Sequence, residues 1–398
     1  MTLKKRFGWG VGLAAGVFAL AVPVIASAQV KIGVTISQTG PAASLGIPEA
    51  QTVALLPKEA DGTKIQYIVL DDGTNPTRAV QNAQALINDD HVDAIIGSST
   101  TPTSLAMVST VAKAKTPMVA VAPFLPPPSK AISGPLEWAF QSPQPISLMA
   151  SVLVHGMAAQ HVKTLGFIGF SDGYGQDWLD NIRALVGEKG IKLVDVERYA
   201  RNDTSVTGQV LRLMGANPDA ILIAASSSPA VLPQQALKRS GYKGIIYQTG
   251  GAANNAVLQL CGADCNGMFL DASPLLVAQQ LPEDYPVKKT SLAYFNAFEA
   301  KYGKGSVNQF GGNFWDAGQL ILHAIPVALK SGARPGTEAF RVALRDAIEH
   351  TTGLAASEGV FNLSPTFHGG PMKAAMVMIE VVDGKWKYRP DLTPASQR

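Results

Sequence analysis

Val92-Asp-Ala-Ile-Ile-Gly-Ser-Ser-Thr-Thr-Pro-Thr-Ser-Leu-Ala-Met107 is the stretch whose reading decides the fold. A short apolar strand passes through a glycine into four hydroxyl residues and then, from Pro102, into a helix, the repeating unit of a parallel α/β sheet. Amides at a helix start lack intrahelical partners, so a carboxylate placed beside Ser99, Thr100 and Thr101 would meet hydroxyls and the positive end of the helix dipole. For the loop alone an ordinary helix cap is the simpler reading, because Ser and Thr are favoured caps in any helical protein.

The same unit recurs on both sides of this loop. Strands are expected at Lys31–Ile36, Ile65–Leu70, Ala94–Ile96 and Met118–Ala122, and helices at Ile47–Leu56, Pro76–Ile87 and Pro102–Ala112. A Pro-rich segment, Pro123–Pro145, lacks either periodicity and reads as a crossing. The alternation then restarts from Ile146 to Gln248, and about 370 residues beyond the leader exceed what one core usually fills. The expected architecture is therefore α/β, two doubly wound parallel-sheet lobes. The tail reads as an antiparallel edge hairpin turning at Asp383-Gly384. Open α/β sheets bind ligands at the carboxyl ends of their strands. That rule places Ser37–Gly46, Gly97–Pro102, Ala122–Pro128, Ser171–Gly175, Ala225–Pro229 and Thr249–Asn254 around one cleft. These loops are small, hydroxylated and free of Lys and Arg, a chemistry suited to holding a ligand and poorly suited to acid–base work.

Residues 1–28 have the order of a secretory signal peptide: Lys4, Lys5 and Arg6, an apolar run from about Val11 to Ile25, then Ala26-Ser27-Ala28. A mature chain is expected to begin near Gln29 and to be exported to an oxidising compartment. Without the leader, basic and acidic residues balance at 30 each, which argues against nucleic acid or an anionic membrane surface as partner. Cys261 and Cys265, the only cysteines, are expected to form a local disulfide in an oxidising compartment. No metal site or cofactor is expected, since no further ligands lie near that pair and the six histidines are scattered. Ser226, Ser227 and Ser228 lack a Gly-x-Ser-x-Gly elbow, so catalysis by them is not expected. Asp71-Asp72 reads as a solvated turn capping the Pro76 helix, and Trp138 or Phe140, near the crossing, as a residue in reach of ligand.

In fixed order the chain carries Lys31-Ile-Gly-Val, Thr39-Gly-Pro41, Asp93-Ala-Ile-Ile-Gly97, Asp172-Gly-Tyr-Gly175 and Phe314-Trp-Asp-Ala317. In this ordered set, and over residues 29–390, it resembles the periplasmic branched-chain amino-acid-binding proteins. The resemblance implies a type I periplasmic binding fold, two lobes joined by three crossovers, and a receptor that delivers solute to an inner-membrane ABC permease. The lobes are expected at 29–143 plus 250–352 and at 144–249 plus 353–390, with 391–398 as a tail and the protein as a monomer.

By the same resemblance Ser99, Thr100 and Thr101 hold a ligand carboxylate, with the backbone of Ala122 as second contact. Phe124 adds an aromatic wall, Leu45 an apolar one ahead of Gly46, and Tyr174 closes over the ligand from the other lobe. The family tyrosine before the last cleft loop is replaced here by Ser226-Ser-Ser228, with Ser227 carried as a cleft residue. The main departure is Gln248-Thr-Gly-Gly-Ala-Ala-Asn254, where amino-acid binders place an acid against the α-ammonium and this chain has Gly250 and Gly251. A buried ammonium without counter-charge costs several kcal/mol, so the expected ligand is an aromatic or aliphatic acid without an ammonium group. A branched-chain or other apolar amino acid is the alternative if Asp172, Asp271 or Glu283 restores the charge. A sensory receptor of the same fold is the other competing reading.

Overall fold

The computed structural model describes residues 1–3, 5, 8, 29–126, 128 and 130–398; the expected leader therefore lies almost wholly outside the described residues. Among those residues no helix is long and apolar enough to cross a membrane.

The first sheet collects β1 (Val30–Ile36), β2 (Glu59–Ala60), β3 (Thr63–Asp71), β4 (Ala94–Ile96), β5 (Met118–Ala120) and β6 (Ala139–Gln141), in the order β2-β3-β1-β4-β5-β6. All pairs are parallel except β2 with β3. β1 lies centrally and is buried on both faces apart from Lys31, which is why it is apolar at every position but Lys31 and Thr35. Helices α1 (Ala43–Val53), α2 (Pro76–Asn88) and α3 (Thr101–Lys113) connect these strands. Asn75 accepts the Arg78 N–H and Pro76 sits at the first helical position of α2, a favourable start for a helix.

The second lobe runs α4 (Ile146–Ala159), β7 (Thr164–Phe170), α5 (Gly173–Val186), β8 (Lys192–Tyr199), α6 (Thr207–Gly215), β9 (Ala220–Ala224), α7 (Val231–Arg239), β10 (Ile245–Gln248), α8 (Asn255–Cys261) and β11 (Phe269–Ala272). The chain then supplies α9 (Lys288–Tyr302), α10 (Gln309–Lys330), α11 (Glu338–Glu349) and the hairpin β12 (Thr352–Ala355) with β13 (Val360–Asn362). It ends in β14 (Val377–Val382) and β15 (Lys385–Tyr388). The second sheet has the order β15-β14-β11-β10-β9-β7-β8, with β14 and β15 antiparallel. As expected, Asp383 and Gly384 turn that hairpin, both at positive φ, the conformation a two-residue turn requires.

Three expectations need correction. The segment Pro123–Pro145 contains β6, which pairs in parallel with β5, so the first crossing spans only Ser142–Pro145; three buried residues are too few to show a period. Residues 250–272 belong to the second lobe, not the first, because β11 extends its sheet beside β10. The stretch 353–363 stays with the first lobe, where Phe361 and Leu363 bury against the α10 and α11 residues Phe314, Leu320, Phe340 and Leu344.

The crossings are tied into one knot. Gln144 in the first donates through Nε2 to the Glu358 and Ala375 carbonyls, at 3.3 and 2.9 Å. Ser273 in the second donates to Glu358 Oε1 at 3.0 Å, and Ala375 belongs to the third. The turn carrying Ser357 and Glu358 is fixed in turn by Asp316 of α10, which accepts both their N–H groups.

Candidate functional site

Between the lobes lies a cleft whose space free of protein atoms is about 480 Å3, part of it open solvent. It draws residues from both sheets and from the crossings, as the strand-end rule predicts.

The first lobe supplies the loop after β4. Thr100 is the N-cap of α3 and forms a reciprocal capping box with Thr103, so the simple cap reading is true of this residue. Ser99 and Thr101 also have internal partners: Ser99 Oγ accepts the Ser37 N–H at 2.9 Å and shares a hydrogen bond with Glu49 Oε2, and Thr101 Oγ1 donates to the Pro123 carbonyl at 2.7 Å. All three nevertheless line the cleft, and the Thr101 amide, first in its helix, has no acceptor within that helix. Ser98, one residue earlier, donates to Asp72 Oδ2 at 2.5 Å, while Asp72 Oδ1 accepts from Ser37 Oγ at 2.6 Å. Asp72 is therefore a buried brace of this loop and not a solvated turn; burial pushes its carboxyl up, against the hydrogen bonds from Ser37 and Ser98.

Leu45, Val121, Ala122, Met149 and Phe310 form the apolar lining, joined by Pro123, Pro143, Gln144, Gln309 and Asn313. Phe124, expected as an aromatic wall, packs instead into the outer core of the first lobe with Met107 and Met118. Phe140 stacks on His368 at 4.2 Å and Trp138 lies under Arg345; neither lines the cleft.

The second lobe brings Tyr174, Arg201, Ser226, Gly250 and Gly251. Tyr174 Oη shares a hydrogen bond with Thr249 Oγ1 at 2.9 Å. Ser226, not Ser227, faces the cavity. Ser227 Oγ meets Ser44 Oγ of α1 at 2.6 Å, a bond that spans the two lobes. Arg201 is the residue that sequence reasoning missed. It donates through Nε to Asp172 Oδ2 at 2.6 Å and through Nη1 to Ser226 Oγ at 3.0 Å, and its guanidinium lies 4.1 Å from the centre of the Phe170 ring. Among the described residues it is the one charged side chain that lines the cleft. It stands two residues beyond the end of β8, the position that a strand-end search would have flagged.

Of the acids considered as a replacement counter-charge, Glu283 is exposed and paired with Lys288, and Asp172 is spent on Arg201. Asp271 is buried directly behind Gly250. Its Oδ1 accepts the Gly250 N–H at 2.9 Å, its Oδ2 has no partner, and burial lifts its carboxyl to about 8 against the pull of the Gly250 and Asp271 backbone N–H groups. A β-carbon on Gly250 would stand 2.8 Å from that Oδ2, and one on Gly251 would stand 2.7 Å from Tyr174 Oη and 2.6 Å from the Ala225 carbonyl. The packing thus requires glycine where amino-acid binders are expected to carry an acid.

Comparison with known proteins agrees with this architecture. Residues 29–385 match the family model of the periplasmic binding proteins. The chain belongs to that family. It is similar to the crystal structure of an extracellular ligand-binding receptor from Rhodopseudomonas palustris HaA2, at 39% identity over 91% of this chain and 99% of that one, with a TM-score of 0.87. Two more distant structures share the fold. One is a branched-chain amino acid transporter substrate-binding protein from Streptococcus pneumoniae in complex with isoleucine, at 17% identity over 90% and 98% of the chains, TM-score 0.76. The other is an ABC transporter solute-binding protein from R. palustris in complex with benzoate, at 18% identity over 92% and 97%, TM-score 0.77. No curated protein matches the chain. The type I periplasmic binding fold and its solute-binding class are thereby established.

Proposed function

We propose that this chain is the periplasmic receptor of an ABC importer, exported by cleavage of residues 1–28, and that it captures a small carboxylic acid without an ammonium group. The observation that carries this reading is the charge of the cleft. Among the described residues its one charged lining side chain is a cation, Arg201, and the wall that would hold an acid is Gly250-Gly251. An ammonium placed there would meet Arg201 with no carboxylate lining the cavity beside it.

A carboxylate has a place at the start of α3, on the Thr101 amide and the helix dipole. The aliphatic or aromatic body fits the lining of Leu45, Val121, Met149 and Phe310. Arg201 uses two of its five N–H donors on Asp172 and Ser226, and the rest serve a polar group at the far end of the ligand. The protein works as a monomer that binds without turnover, hands its ligand to an inner-membrane permease, and closes when ligand bridges the lobes. In that oxidising compartment Cys261 and Cys265, whose Cα atoms lie 5.6 Å apart, are joined as a disulfide.

The fold accommodates benzoate in one relative and isoleucine in another, so the choice rests on these side chains. Titration calorimetry with benzoate, a short aliphatic acid and leucine tests it. Binding of an acid with no heat from leucine is expected, and tight leucine binding overturns the reading. The orphan Oδ2 of Asp271 is the observation on the side of an amino acid, and loss of leucine binding in Asp271→Asn would then establish that alternative.

A further inference from the structure

Behind the cleft wall of the first lobe lies an acid for which ligand binding, as described so far, has no use. Glu49 of α1 is fully buried, Oε2 on Ser99 Oγ and Oε1 without a partner. Ser99 Oγ already accepts the Ser37 N–H. A serine hydroxyl has two lone pairs and one hydrogen, so the state of Glu49 decides what Ser99 shows to the cleft. An ionised Glu49 only accepts. It takes the Ser99 hydrogen and leaves a lone pair facing the ligand, where a carboxylate is repelled. A protonated Glu49 donates instead; both Ser99 lone pairs are then filled by Glu49 and Ser37, and the Ser99 hydrogen is free to point outward.

The surroundings favour the second state. Burial pushes the Glu49 carboxyl well above its ordinary range, the Ser99 hydrogen bond opposes this, and the like charge of Asp72 adds to it. Asp72, at the end of β3, is the acid that faces it, with Asp71 beyond. From α10 the cleft-lining neighbours Gln309 and Asn313 are uncharged, and Arg201 belongs to the opposite lobe, engaged by Asp172.

We propose that Glu49 is the positioning residue of the carboxylate subsite: its protonated carboxyl donates to Ser99 Oγ and so turns the Ser99 hydroxyl hydrogen onto the ligand carboxylate. No covalent bond changes. Where the free protein holds Glu49 ionised, one proton is taken from water for each ligand captured. The inference rests on the carboxylate half of the proposed function and is indifferent to the ammonium half, so it holds for an acid and an amino acid alike.

Two measurements test it. The first is calorimetry with benzoate and leucine across a pH series, in buffers of different ionisation heat, on the wild type, Glu49→Ala and Glu49→Gln. Above the Glu49 titration the wild type should lose affinity about tenfold per pH unit with proton uptake. Glu49→Ala, which leaves the Ser99 hydroxyl free but unoriented, should bind more weakly than Glu49→Gln, whose amide still donates to Ser99, and both should show neither pH slope nor proton uptake. Glu49→Gln binding as weakly as Glu49→Ala, while both melt normally, overturns the proposal. The second is infrared spectroscopy of the free protein near neutral pH, where a protonated-carboxyl band present in the wild type and missing in Glu49→Gln is expected. Its presence also accounts for a flat wild-type profile, with Glu49 protonated throughout; its absence together with a flat profile overturns the proposal. If neither ligand binds, the proposed function fails, and the infrared result still decides the state of Glu49.

Discussion

The two walls of the cleft are built on opposite plans. In the first lobe Ser98, Thr100 and Thr101 spend their hydroxyls on Asp72, Thr103 and Pro123, so what remains for a ligand beside the Ser99 hydroxyl is largely backbone at the start of a helix. In the second lobe a guanidinium stacked on Phe170 and held by Asp172 faces the cavity beside two glycines. The first wall is a braced neutral cradle, and the second carries charge. Side-chain substitutions should therefore injure stability or binding unequally on the two sides.

The largest expected effect is on stability in the second lobe. Asp271 has a folded-state pKa of about 8, above the unfolded value of about 3.9, so the folded protein binds the extra proton between those limits. Stability should then fall as pH rises from about 4 to about 8 and level off beyond. Asp271→Asn removes this loss: it should melt near the wild type at acid pH and above it at alkaline pH. A gap independent of pH in a melting series would break the assignment.

Next in size, Arg201→Ala should weaken binding of an acid that carries a polar group at its far end by about 100-fold, about 2.7 kcal/mol, by removing charge-assisted hydrogen bonds and leaving Asp172 without its partner. Calorimetry reads this directly, and unchanged affinity would remove Arg201 from the site. Gly251→Ala should cost about 1–3 kcal/mol by overpacking against Tyr174 and the Ala225 carbonyl, seen as a lower melting temperature with the first lobe untouched. Smallest, Thr101→Val should cost only about 1 kcal/mol, from the lost bond to Pro123, and leave ligand affinity within a few-fold because the amide remains. A loss as large as that of Arg201→Ala would show the cradle to work through its hydroxyl and erase the contrast between the walls.

The same contrast explains what could be read from sequence. The first wall is local: strand, glycine, hydroxyls and helix follow one another within Val92–Met107, so the cradle and its cap were legible together. The acids behind it were not, because Glu49 and Asp72 come from other elements and only folding packs them against Ser98 and Ser99. The second wall is dispersed over Tyr174, Arg201, Ser226 and Gly250-Gly251, each next to the end of a different strand. A loop inventory that stopped short of the turn after β8 left out Arg201. Tyr174 and the glycines were found through family resemblance, whereas Ser227 and Phe124 were misplaced because a one-residue step in a loop decides which neighbour faces the cavity. Likewise the sheets were legible as alternating apolar runs, but the lobe boundary near residue 250 was not. Nothing in the local sequence of β11 says which sheet it joins.

The knot around Glu358 has a mechanical consequence. Three separate linkers would let each lobe wander in several directions, but crossings that share hydrogen bonds through Gln144, Ser273 and Ala375 must turn about a common fulcrum. Motion is then restricted to something close to one degree of freedom. On the proposed closure, a small rotation at the buried pivot becomes a larger displacement at the outer rims of the lobes, so occupancy of the cleft would be broadcast at the molecular surface as a change of shape that the proposed permease could read without touching the ligand.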